Sequence, residues 1–89
     1  MSIDYSRLPA HNRAGMQRYI EHGIAPGSFL SAVLSNDLMG ALGKADEVNR
    51  AQIFDICVFL YNEAPAGCYG SAAKFKAWRG INAEKEAQS

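Results

Sequence analysis

The chain reads as all-α, a compact bundle of four to five short helices around a central apolar helix at about 46–63, followed by a disordered C-terminal tail. Three observations predict this. The stretch from Asp46 to Tyr61 repeats Ile53, Ile56, Cys57, Leu60 and Tyr61 at helical spacing, and Phe54, Val58, Phe59 and Val48 fill most of the remaining surface. Prolines and glycines cut the rest of the chain into segments of helical length. No alternating strand pattern and no internal repeat occurs. A helix apolar nearly all round is either enclosed by its neighbours or shared across a subunit contact, because exposed it would form a sticky patch.

The elements follow in order. Residues 1–8 carry Tyr5 and Leu8 but no period, and Pro9 suits the first turn of a helix, where its missing donor is not needed. The first helix runs from about Pro9 to His22, with Leu8, Met16, Tyr19 and Ile20 as apolar contacts. Gly23 ends it, since glycine takes the left-handed conformation at low cost. After the turn Ile24-Ala25-Pro26-Gly27, Ser28 caps a second helix from Phe29 to about Ser35, in which Phe29, Leu30, Val33 and Leu34 recur at helical spacing. Asn36-Asp37 interrupts the pattern. Either a short third helix restarts there, carrying Leu38, Met39, Ala41 and Leu42 to Gly43, or one bent helix covers 28–43.

Asp46 caps the central helix, with Asn49 three residues on. Pro65 ends it at Ala64, because the residue before proline disfavours the helical conformation. Pro65-Ala66-Gly67-Cys68-Tyr69-Gly70 is an irregular loop, and Ser71 caps a last helix, Ala72 to Arg79, anchored by Phe75 and Trp78 and stopped by Gly80. Residues 1–80 form one helical domain. Residues 81–89 have one large apolar side chain and read as a flexible tail.

Composition narrows the function. Nine Lys and Arg balance nine Asp and Glu, so no net field draws the chain to DNA or to an acidic membrane, and neither is expected as a partner. No stretch approaches the roughly 18 apolar residues of a membrane span, and the start shows no leader pattern, so a cytoplasmic location is expected. Cys57 and Cys68 form neither a disulfide framework nor a metal spacing. His11 and His22 stand three turns apart along one helix and cannot share a metal. With no nucleotide fingerprint, metal pair or nucleophile elbow, neither enzyme activity nor a cofactor is expected.

Polar and aromatic residues at turns supply the candidate ligand site: Tyr19, Asn36, Asp37, Asn62, Tyr69, Ser71 and Lys74. The loop Asn62 to Ser71 leading into Lys74 combines helix-start donors, glycines, a hydroxyl and a cation, which suits a phosphate or carboxylate. Its ordinary reading is a capped helix after a proline turn. Asn36 and Asp37 could meet a base edge or a ribose hydroxyl, or cap a helix restart. Tyr19 and Tyr69 are expected at the surface, where a ring can stack on a purine, and Tyr61 and Trp78 in the core. Asp55, among apolar neighbours, calls for an arginine partner, Arg13, Arg18 or Arg50.

Arg18-Tyr19-Ile20-Glu21, Pro26-Gly27-Ser28-Phe29-Leu30, Ser35-Asn36-Asp37-Leu38, Ala45-Asp46, Tyr61-Asn62-Glu63-Ala64-Pro65, Gly70-Ser71 and Trp78 form an ordered set over about Leu8 to Trp78. In these motifs the chain resembles a family of small proteins of tailed phages and prophages. The resemblance implies a phage origin and action in the bacterial host cytoplasm, and it carries no catalytic residues. By analogy of context it suggests a counter-defence factor. Two activities compete: sequestering a small nucleotide-derived immune signal as a homo-oligomer, or blocking a host defence protein complex in the manner of an anti-CRISPR. Direct DNA binding through Lys74, Lys76 and Arg79 ranks third, since three cations in a neutral chain are few for such an interface.

Overall fold

The computed structural model describes residues 3–82. They form five α-helices, α1 (Ala10–His22), α2 (Ser28–Leu34), α3 (Leu38–Lys44), α4 (Glu47–Glu63) and α5 (Ala72–Ala77), with short 3-10 turns at Tyr5–Arg7 and Ala66–Cys68. No strand occurs among the described residues, and the fold is all-α. The radius of gyration, 12.5 Å, matches the roughly 12 Å of a compact chain of this length. No helix is long and apolar enough to cross a membrane among the described residues.

Local chemistry sets the boundaries. Gly23 takes the left-handed conformation, with φ of 72°, and its N–H donates to the Tyr19 carbonyl, closing α1. Asp37 caps α3 by accepting from the Gly40 N–H at 3.0 Å, and Asn36 before it sits at φ 62°. That reversal separates α2 from α3. The 28–43 segment is therefore two helices, and they pack closely on each other. Asp46 and Ser71 cap α4 and α5 as their sequence positions predict. Ser28 does not cap α2; it is the first helical residue, and Gly27 holds the cap position without a side-chain bond. Pro9 likewise sits one residue earlier than expected, at the cap of α1 rather than in its first turn.

The core gathers Leu8, Met16, Tyr19, Ile20, Phe29, Leu30, Leu34, Ile56, Phe59, Leu60 and Cys68 from every part of the chain. Tyr5 lies on Phe59 with ring centroids 5.6 Å apart and donates its hydroxyl to Glu21 Oε2 at 3.1 Å, which ties the N-terminal turn to both α4 and α1. Behind α5, Trp78 Nε1 donates to the Tyr19 and Ile20 carbonyls at 3.0 and 3.1 Å. Gly80, at φ 97°, lies so close to α1 that an added Cβ would stand 2.6 Å from the Glu21 carbonyl carbon. Only glycine fits there. Ile81 then packs against the core, one residue beyond the expected domain end. Of the tail expected at 81–89, residues 83–89 lie outside the described residues.

α4 is the long helix expected at about 46–63, and of the two alternatives for its apolar surface it is not fully enclosed: Ile56, Phe59 and Leu60 are its buried residues. One expectation about it is corrected. Tyr61, expected in the core, is 75% exposed.

Candidate functional site

One depression, with a volume of about 470 Å³, lies between α1 and the loop that enters α2. Its α1 wall includes His11, Gly15 and Arg18, spaced four and three apart on one helix face, with Asn12 and Ala14 beside them. Gly15 lacks a side chain where Pro26 approaches, 3.9 Å from the position of a Cβ. From α4, Asn49 Oδ1 receives two donors, His11 Nε2 at 2.7 Å and Asn12 Nδ2 at 3.1 Å. An amide oxygen can only accept, so His11 carries its proton on Nε2 when neutral. This leaves His11 Nδ1 as an acceptor and the Asn49 side-chain nitrogen as a donor, both without a protein partner among the described residues. The Arg18 guanidinium is exposed and equally unpaired among the described residues. A cation, a donor and an acceptor thus border one cleft.

The smaller depression, about 260 Å³, sits at the other end of α2 and is bounded by Val33, Asn36, Cys57, Leu60, Tyr69 and Gly70. Its wall is mostly apolar. The Gly70 N–H donates to the Leu34 carbonyl at 2.9 Å, which fixes the loop carrying Tyr69 against α2. Lys74 reaches beside this loop, its Nζ 3.9 Å from where a Cβ on Gly70 would stand.

The seven residues singled out in the sequence do not converge on one site. Asn36 and Tyr69 meet in the smaller depression, and Lys74 stands at its edge. Asp37 and Ser71 are occupied as helix caps. Asn62 Nδ2 donates to the Val58 carbonyl one turn back. Tyr19, expected at the surface, is 1% exposed: its hydroxyl donates to the Cys68 carbonyl at 2.7 Å and its ring stacks on Phe75 at 5.3 Å. It holds the core together and cannot stack on a ligand. Asp55 is exposed, which removes its need for an arginine partner, and it pairs with none among the described residues.

Burial pushes the Cys68 thiol up to about 12 and raises the Cys57 thiol as well, so neither is an activated nucleophile. No cluster of three or more His, Cys, Asp or Glu that could hold a metal occurs among the described residues. The α1–α2 cleft is not legible in the sequence. His11 offers neither a metal pair nor a catalytic partner there, and Asn12 and Asn49 look like ordinary helix residues until the fold joins α1 to α4. The one legible signal was the His11, Gly15, Arg18 spacing on a single face.

No protein-family model matches the chain, and neither curated proteins nor solved structures show a match to it.

Proposed function

We propose that this protein is a non-enzymatic binder that sequesters a small nucleotide-derived anion, acts as a homo-oligomer, and serves a phage by withdrawing an immune signal in the bacterial host. The observation that carries this reading is the α1–α2 cleft. Its volume of about 470 Å³ falls within the roughly 300 to 1,000 Å³ of small-molecule sites. The unpaired Arg18 supplies charge, and the amide of Asn49 and the ring of His11 offer the donor and acceptor that a base or a sugar edge requires. The depression at Asn36 and Tyr69 is smaller than that range, and its wall offers little polarity. The resemblance to phage proteins supports the biological setting.

Calorimetric titration with a panel of cyclic and ADP-ribose-type nucleotides tests the reading. Heat of binding is expected for at least one nucleotide, and Arg18→Ala should weaken it by about 1 to 3 kcal/mol, the range for losing a charge-assisted hydrogen bond. Asn49→Ala should weaken it too. If Tyr69→Ala and Lys74→Ala do so instead, the ligand occupies the smaller depression. No heat and no thermal shift with any nucleotide would refute sequestration. The exposed Leu38 and Met39 of α3 favour the second reading, a blocker of a host defence complex, which predicts a stoichiometric host protein in a pull-down and no nucleotide binding.

A further inference from the structure

The outward face of α4 presents Phe54 and Tyr61, each 75% exposed, with Cys57 and the half-buried Val58 between them. Their spacing, i, i+3, i+4 and i+7, is that of a helix–helix seam. The order along the seam is large, small, medium, large. An antiparallel copy of the same helix, related by a two-fold axis between Cys57 and Val58, sets each Phe54 against the other copy's Tyr61 and gives the smaller pair the centre. The row is complementary to itself, as a two-fold contact requires.

We infer that a second copy of this chain packs antiparallel on this face, and that the Phe54–Tyr61 seam of α4 is the homodimer contact. The inference rests on the homo-oligomer element of the proposed function, not on its ligand. Area favours this occupant: an aromatic side chain exposes roughly 200 Å² when free, so three-quarters exposure leaves about 150 Å² at each ring. Both rings on both copies give about 600 Å², half of the ~1,200 Å² where stable interfaces begin, before the rest of the face is counted. Continuity adds a further argument, because Cys57 belongs both to the seam and to the wall of the 260 Å³ depression, so the seam runs directly into an apolar hollow able to receive a side chain from the facing copy.

The test is sedimentation equilibrium of the full chain over a wide concentration range, with Phe54→Ser and Tyr61→Ser beside the native protein. The native chain is expected at twice its 9.7 kDa mass or a higher even multiple, and each substitution should lower that mass at least two-fold while circular dichroism shows the helices intact. Cys57 gives an independent readout, since Cys68 is fully buried and does not compete for reagent. A monofunctional maleimide should label Cys57 more slowly in the native chain at high concentration than in Phe54→Ser at the same concentration, and equal rates overturn the inference. A native chain that is monomeric throughout overturns the inference, and so does an assembly whose mass neither substitution changes. No nucleotide enters these measurements, so a failed titration leaves them standing, and a failed dimer leaves the cleft to be judged by calorimetry alone.

Discussion

Along the inward face of α4, Ile56, Phe59 and Leu60 are buried, whereas Phe54 and Tyr61 on the outward face keep three-quarters of their surface in water. The inward face also carries Gln52, four residues before Ile56, whose Oε1 is buried with no hydrogen-bond partner among the described residues. So the helix exposes two aromatic rings on one side and encloses an unpartnered amide oxygen on the other. A helix patterned only to stabilise this monomer would do neither. The contrast teaches that the outward face answers to something other than the monomer's own core, which is the physical basis for placing a contact there.

The largest effect that sharpens this contrast is expected at Phe59. Its ring is fully buried against Tyr5, and Phe59→Ala should cost about 3 to 5 kcal/mol through lost transfer energy and the cavity left behind. Urea unfolding reads it directly. A cost below about 1 kcal/mol, the ordinary value for a point substitution, would mean that the inward face is not the anchor of the fold.

Tyr19 comes next, because it closes the core on which the inward face rests. Tyr19→Phe keeps the ring on Phe75 but leaves the buried Cys68 carbonyl without its donor, at a cost of about 1 to 3 kcal/mol. The same residue sets a pH dependence. Burial, and after it the neighbouring Cys68, raise the Tyr19 phenol above its ordinary 10.0, and burial raises Cys68 from 9.0 to about 12. The folded chain therefore keeps protons that the unfolded chain releases. Stability is full below about pH 9 and falls as pH rises through the window above it. Melting temperatures across alkaline buffers should show that decline, shallower for Tyr19→Phe; a flat profile would contradict the buried placement of both groups.

How far such features were legible varies with the physics behind them. The caps at Asp46 and Ser71 and the stop at Gly23 depend on a few adjacent residues, and the sequence located each one, while at Asn36-Asp37 it left a restart and one bent helix open. Which side of α4 faces inward depends on elements distant in the chain. A helix apolar nearly all round gives no periodic preference, so the sequence points Tyr61 to the core although it lies at the surface. Tyr19 failed in the other direction. A tyrosine four residues from a turn resembles a surface residue until the Cys68 carbonyl, 49 positions away, is brought to its hydroxyl. The candidate cleft was hidden for the same reason, since Asn49 meets His11 and Asn12 only after α4 docks on α1.

A smaller effect, opposite in sign, is expected at Gln52. An unsatisfied buried polar atom costs about 1 to 3 kcal/mol, and Gln52→Met replaces the amide with an apolar group of similar length. Stability should rise by about 1 kcal/mol, the low end of that range. A loss of the same size in urea unfolding would show that the amide has a partner essential to the fold, and the inward face would then be less mismatched than it looks.

The smallest effect tests the other half of the contrast. Phe54 is 75% exposed, so in dilute solution, where any self-association is dissociated, Phe54→Ser removes little burial and should change stability by no more than about 0.5 kcal/mol, the usual span for surface positions. At high concentration the two proteins should part company. Association stabilises the native chain by mass action, so its melting temperature climbs with concentration while that of Phe54→Ser stays level. Identical slopes for the two would mean that the outward face makes no contact of consequence. A large loss in dilute solution would mean that Phe54 already packs within the monomer, and the division of α4 into two unlike faces would fail at its most exposed ring.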